Sequence, residues 1–307
     1  MEVLAEFGEK QAIPFPLLSD VDSEVIRRYG ILNTRIEPGD AMLYGIPFPG
    51  AFVCDEDGVV IAKSFHDTYK KRDSPEVLID ATLGRIHLSE ETPRATGGDD
   101  DVRVTAAVQG GRGTIRQGIV RHLVVRFELR DGLHIYGEPV PEGMVPTSVT
   151  LHGPPGLVVH DPILPPTEPL QLASVGVELP VWSGRVDIVL PFHATGELAS
   201  EVRPLDTDAI TLEVRVRYQA CDDEVCLLPR SEKLTLELPL DVIDVPAIPM
   251  HMGHGQREGR YDGRRHLRRL FLRKVRRHPL GFVRFIGKQI RLELAARARA
   301  RSARDRV

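Results

Sequence analysis

Cysteine is scarce in this chain: there are three among 307 residues, and two fall within Cys221-Asp222-Asp223-Glu224-Val225-Cys226. Long apolar runs are missing as well. The longest uncharged run, Ala41 to Cys54, is broken by Pro47, Pro49 and two glycines, and it falls short of the ~20 residues a membrane-spanning helix needs. Glu2 follows Met1 directly, without the basic, apolar and small-residue segments of a signal peptide. As the chain begins, the expected compartment is therefore the cytoplasm. No G-x-S-x-G, Walker or dinucleotide-binding loop is found, and no Ser/His/Asp constellation. Gly110-Gly111-Arg112-Gly113 precedes a strand pattern rather than a helix, which excludes a phosphate cradle.

What is present reads as a soluble globular protein, with 42% apolar and 27% charged residues and enough length for two cores. The net charge of -4 hides a split. Residues 255–307 carry 18 Lys/Arg against 4 Asp/Glu, whereas the preceding 254 residues carry 22 against 40. An acidic body thus bears a basic tail.

Along residues 1–88 the pattern is mixed α/β. A short N-terminal helix leads to a strand at Ile13–Leu18. Asp20 or Asp22 can cap a helix whose Val21, Val25, Ile26 and Tyr29 share a face, and Gly30 ends it. Ala51–Cys54 and Val59–Ala62 flank the turn Asp55–Gly58 as a β-hairpin. Ser74-Pro75-Glu76 opens a further helix with Val77, Leu78 and Ala81 on one side. Gly97 to Asp101 reads as a polar linker.

From Val102 to about Val245 no helix pattern occurs. Short alternating runs, such as Leu123–Leu129, Val186–Phe192, Ile210–Tyr218 and Leu234–Leu238, are separated by Pro/Gly loops. That spacing predicts an antiparallel β-sandwich. The two cysteines close a tight connection between two of these strands, short enough to bring their Cα atoms to the ~4.4–6.8 Å of a disulfide.

Three stretches of the first segment carry a resemblance: Ile13–Asp20, Val25–Ile31 and Pro49–Val59. Together they resemble the C-terminal half of the redoxin (AhpC/TSA) family, which has a thioredoxin fold. Pro49 falls near the position of the thioredoxin-type cis-proline. The family's redox cysteine lies upstream of anything in this chain, so the resemblance implies no peroxidase chemistry here and a longer natural protein. Cys54, inside an apolar strand, reads as a small buried hydrophobe.

In the second segment the motifs are Tyr218-Gln219-Ala220-Cys221 with Cys226-Leu227-Leu228-Pro229, Asp131–Tyr136 and Val186–Phe192. They resemble the N-terminal domain of the thiol:disulfide interchange protein DsbD, an immunoglobulin-like sandwich. That resemblance implies an exchange pair at Cys221 and Cys226, supported by Tyr218, His134 and Tyr136. It also implies an aromatic cap loop, whose nearest counterpart is Glu178–Trp182. The donor would be a thioredoxin-like protein or a membrane reductase, and the acceptor a protein thiol partner. The periplasm is the compartment it implies, a conflict that an incomplete N-terminus would remove.

The expected architecture is therefore α/β plus all-β: a partial thioredoxin fold (1–88), a linker (89–101), an immunoglobulin-like β-sandwich (102–245), and a connector with a basic C-terminal tail (246–307). Thiol–disulfide exchange competes with a non-catalytic adaptor whose cysteines only staple a loop. Asp222, Asp223 and Glu224 disfavour a thiolate, which suits exchange within a docked complex. No cofactor is expected. Zinc would need two ligands beyond the cysteines, and Met250, His251, Met252 and His254 offer a soft-metal alternative to a solvated connector. The tail reads as a solvated extension or as a peripheral membrane contact through 264–294, where Leu267, Phe271, Phe282, Phe285 and Ile286 interleave with arginine. Nucleic-acid binding has the charge but no recognised module.

Overall fold

The computed structural model describes residues 2–294 apart from 11, 40–43, 67–70, 111, 173–176, 201–202, 223, 243–262, 278, 281–282, 285, 288–289 and 292–293. Two compact units emerge, Met1–Arg72 and Asp73–Val307. The first contains α1 (Glu2–Lys10), α2 (Glu24–Arg28) and the antiparallel hairpin β1 (Gly50–Cys54) with β2 (Val60–Phe65). The Asp20 carboxylate accepts the Glu24 and Ile26 N–H groups at 3.0 and 2.8 Å, so it caps α2 as expected. Gly30 takes a positive φ just beyond the helix. The hairpin turn is closed by Asp55 Oδ1, which accepts from Asp57 and Val59. Ile13–Leu18 is not a strand, since Pro14 and Pro16 each remove a ladder donor. Among the described residues this unit buries no large apolar side chain; Phe15, Leu18, Val21, Val25 and Tyr29 are all exposed.

At the junction lies the two-residue β3 (Arg72–Asp73), followed by α3 (Pro75–Thr82), whose N-cap Ser74 Oγ accepts from Val77 N–H. The sequence groups this helix with the first segment, yet it belongs to the second unit. Its buried Asp80 accepts the Gln109 side-chain amide at 2.8 Å, and Glu76 pairs with buried Arg121 at 3.2 Å.

The rest of the second unit is β structure. One sheet runs in the order β4 (Arg94–Gly98), β5 (Val102–Val108), β6 (Ile119–Leu129), β12 (Arg185–Ala194), β9 (Leu157–Val159). A second runs β15 (Arg230–Pro239), β13 (Ala209–Tyr218), β8 (Ser148–His152). A third runs β10 (Glu168–Leu172), β11 (Val177–Ser183), β7 (His134–Tyr136), β14 (Ala220–Cys221). All these pairings are antiparallel. The alternating residues do what their period predicts: in β13, Ile210, Leu212, Val214, Val216 and Tyr218 point inward and are buried. They join Phe127, Ile188, Leu236 and Ile135 in one core fed by all three sheets. A short helical turn, α4 (Gly196–Ala199), lies between β12 and β13. Residues 94–101, read from sequence as linker, instead form β4 and its hairpin turn, where Asp99 Oδ1 accepts from Asp101 and Val102. Lastly, α5 (Gly263–Arg277) carries the basic segment.

Candidate redox site

The chain runs along β13 in one sheet, passes Gln219, and enters another as β14. That change of sheet sets Cys221 opposite His134 of β7. Cys221 and Cys226 are joined by a disulfide, with Cα atoms 4.1 Å apart. Their close approach has a backbone cause. Asp222 N–H donates to Val225 C=O and Leu227 N–H to Ala220 C=O, which makes Cys221 and Cys226 a non-hydrogen-bonded antiparallel pair, the kind with the shorter Cα separation. Asp222 Oδ1 closes the turn by accepting from Glu224 and Val225 at 2.9 and 2.7 Å. These two amides hold the Asp222 carboxyl below the usual range, aided by Arg130 and His134.

The two cysteines differ in exposure. Cys221 is 1% exposed and packs with Tyr136, Leu179 and Val181, whereas Cys226 is exposed. The Tyr136 hydroxyl lies 3.7 Å from Cys226 Sγ and 3.3 Å from His134 Nε2, and the two rings meet edge-on. Burial pushes the Tyr136 phenol above its ordinary value, so it remains a proton donor near neutral pH. Gln219 ties the flanks together: its Oε1 accepts from Val145 N–H and its Nε2 donates to Leu227 C=O, both at 3.1 Å. Sequence reasoning noted Gln219 only as part of a motif. Its signal was a long amide inside an otherwise apolar strand end.

His134 and Tyr136 are therefore beside the disulfide, but Tyr218 is not in contact with it. The Tyr218 ring packs edge-on against Phe127 in the main core, and its hydroxyl is buried with no hydrogen-bond partner among the described residues. Burial, reinforced by Glu232, pushes it up to about 12. Pro49 lies in the other unit, before β1. The one cis peptide bond among the described residues is Glu138–Pro139, so the bond preceding Pro49 is trans. Cys54, expected to be buried, is exposed at the end of β1. Glu178–Trp182 is not a cap loop but the body of β11, hydrogen-bonded on both sides, with the Trp182 indole donating to Pro165 C=O. From that strand Leu179 and Val181 cover the Cys221 side of the disulfide.

Met250, His251, Met252 and His254 lie outside the described residues, as do Phe282 and Phe285. Among the described residues no group of three or more His, Cys, Asp or Glu could hold a metal, and no helix is long and apolar enough to cross a membrane.

The disulfide hairpin lies in one of two segments of the chain that match known family models. Residues 104–238 match the family model of the N-terminal region of the thiol:disulfide interchange protein DsbD, and residues 1–63 match that of the AhpC/TSA family. Two separate segments of the chain are thus similar to two different family models. Two proteins of Mycobacterium tuberculosis, one from each of two strains, carry a provisional peroxiredoxin name and are 36% identical over 69 residues. That span is 21% of this chain and 40% of each relative, so the chain matches under half the length of these curated relatives. Among solved structures, the N-terminal periplasmic domain of ScsB from Proteus mirabilis aligns at 18% identity with a TM-score of 0.32, covering 46% of this chain and 47% of that one. The reduced DsbD N-terminal domain of Neisseria meningitidis aligns at 16% identity with a TM-score of 0.26, covering 48% and 85%.

Proposed function

We propose that the second unit is a thiol–disulfide carrier and that Cys221 and Cys226 are its working pair. The observation carrying this reading is the disulfide itself, one sulfur reachable and the other covered, placed at the rim of a sheet rather than between core layers. An incoming thiolate from a donor dithiol attacks Cys226 Sγ. The Cys221–Cys226 bond breaks, a mixed disulfide forms at Cys226, and Cys221 leaves as a thiolate that takes up a proton. The donor's second thiol, once deprotonated, attacks its own sulfur in the mixed disulfide and releases Cys226. Two electrons and two protons have then moved to this chain, and the donor holds the disulfide.

Discharge reverses the sequence on an acceptor disulfide, with Cys226 as the nucleophile and Cys221 as the resolving thiol. Tyr136, kept protonated, donates toward Cys226 Sγ and favours its thiolate at the moment it leaves. A thioredoxin-like protein or a membrane reductase is the donor class this chemistry suits, and the disulfide form of a protein thiol partner the acceptor. The family match of residues 104–238, together with the Cys221–Cys226 disulfide, supports an extracytoplasmic and specifically periplasmic setting. Peroxide chemistry is not assigned to the first unit.

Equilibration against a dithiothreitol redox buffer tests the proposal. A working pair has a potential above roughly -300 mV, and a structural bridge lies below it. A Cys221→Ser variant, whose Cys226 thiolate attacks the disulfide of an oxidised thioredoxin-like partner and expels the partner's other thiol, is expected to trap a mixed disulfide at Cys226 because no Cys221 remains to resolve it. A potential below that boundary, with no trapped adduct, assigns the bridge to a scaffold instead.

A further inference from the structure

Among its described side chains, the basic helix α5 buries one apolar side and exposes another. Leu270 is fully buried, and beside it Arg273 is 5% exposed with its guanidinium donating to Pro204 C=O. Arg276 pairs with Asp206 at 2.9 Å and fixes the same edge. On a helix of 3.6 residues per turn, Phe271, Leu272 and Val275 project away from Leu270 and Arg273. All three are exposed. Packing on the β unit buries Leu270 and leaves Leu272 and Val275 exposed.

The pattern continues beyond α5. Residues 279–280, 283–284, 286–287, 290–291 and 294 are again helical. Leu280, Val283, Ile286, Ile290 and Leu294 are 41–70% exposed. In sequence these five recur at spacings of three and four, the period of one helix side. Exposed Arg284 and Arg291 lie beside them in sequence. Residues 263–294 hold 11 Lys/Arg against a single acid, Glu293.

We infer that the exposed apolar side chains Leu280, Val283, Ile286, Ile290 and Leu294, with Arg284 and Arg291 beside them, lie on an anionic phospholipid surface. A basic amphipathic helix with large apolar residues on one side is the arrangement that inserts shallowly among headgroups while its cations meet lipid phosphates. Spanning is not implied, because no described helix is long and apolar enough. A nucleic acid would satisfy the arginines but leave Leu280, Val283, Ile286, Ile290 and Leu294 wet, which is why lipid is the favoured occupant. This inference is independent of the redox reading.

The test is co-sedimentation of the full chain with vesicles of mixed phosphatidylglycerol and phosphatidylcholine, against phosphatidylcholine alone, across a salt series. Binding is expected to the anionic vesicles and to weaken with salt. Each of Arg284→Gln and Arg291→Gln should lower the partition coefficient about fivefold. The double variant Ile286→Asp/Ile290→Asp should lower it more than tenfold. Urea unfolding of the β unit should not change in any of these variants, because the substituted side chains are exposed. The inference is overturned if anionic vesicles leave the protein in solution, or if the Ile→Asp variant pellets like the parent. It is equally overturned if duplex DNA is bound where vesicles are not, or if lipid-free self-association through these side chains accounts for the pellet.

Discussion

Reducing the Cys221–Cys226 bond should leave the β unit folded and cost little stability, and the structure says how little. The bridge closes a loop with a sequence separation of only 5. Closing so short a loop removes about 7 cal/mol/K from the unfolded chain, or about 2 kcal/mol at about 25 °C, against about 4.7 kcal/mol for a hundred-residue loop. The hairpin also has means of support that survive reduction. The Asp222–Val225 and Leu227–Ala220 backbone bonds remain, as do the two bonds to Asp222 Oδ1 and the two made by Gln219. Cys226 is exposed and can turn its thiol outward, so two unbonded sulfurs need not crowd each other. Through linkage, about 2 kcal/mol makes the folded disulfide about 45 mV harder to reduce than the same disulfide in the unfolded chain. Urea denaturation with and without excess dithiothreitol measures the difference directly. A midpoint shift worth about 2 kcal/mol with unchanged slope agrees with a bridge free to open and close. Unfolding on reduction, or a loss above about 4 kcal/mol, would refute the reasoning, since the disulfide would then be holding the fold.

Four further outcomes are expected. Tyr136→Phe removes the hydroxyl near Cys226 Sγ and should slow dithiothreitol-driven exchange about fivefold, the worth of about 1 kcal/mol of hydrogen bonding, with stopped-flow rates as the readout; an unchanged rate excludes Tyr136 from the step. Asp222→Asn keeps the turn-closing acceptor while deleting the charge, so the thiol titration of the reduced protein, followed by thiolate absorbance, should move down; an upward move would show that the turn, not the charge, controls the thiols. Tyr218 has a folded value raised to about 12, so its effect on stability is nil below the unfolded value near 10 and destabilises the fold as pH climbs between the two. Tyr218 should lower unfolding stability over that window by up to about 2 kcal/mol, and Tyr218→Phe should remove that part of the fall, leaving the part due to Tyr136, whose phenol is also raised. Leu212→Ala, at a fully buried position of β13, should cost about 2–5 kcal/mol by equilibrium unfolding; a loss under about 1 kcal/mol would contradict its place in the core.

Much of the β unit was legible because its strands alternate. In β13 and β15 one side of the strand is buried and the other is not, so period two is written in the residues themselves, whereas β6 and β12 are buried on both sides over much of their length and alternate only toward one end. β4 escaped because Gly97 and Gly98 carry no side chains to show a period. Packing explains them: a Cβ on Gly97 would come within 2.9 Å of Leu234, and Gly98 turns the chain with a φ of 85°. For α3 the sequence announced a helix with an apolar side but not its partner. Buried Asp80, bonded to Gln109 and to His87 N–H, is a long-range fact that no local pattern encodes. At the site, the cysteines and the His134/Tyr136 pair were legible from motifs. The inequality of the two sulfurs was not, because it arises from β11 covering one side of the hairpin.

The acidic stretch between the cysteines shows why spacing alone misjudges electrostatics. Read as three adjacent carboxylates, it is a field that opposes any thiolate. In the fold, Asp222 is first a structural acceptor: two amides converge on one of its oxygens, and that closure sets the non-hydrogen-bonded pairing that brings the sulfurs together. The same charge is met by Arg130 and His134, whose attraction lowers the Asp222 carboxyl and offsets part of its repulsion toward the sulfurs. Opposition to the thiolate is therefore weaker than the sequence suggests, and it depends on His134, the residue opposite Cys221. A partner that docks on the exposed Cys226 face and displaces water would strengthen every one of these interactions, attraction and repulsion alike. The pair is thus poised to respond to docking more than to small thiols in solution, the behaviour a carrier needs if it is to hold its electrons between encounters.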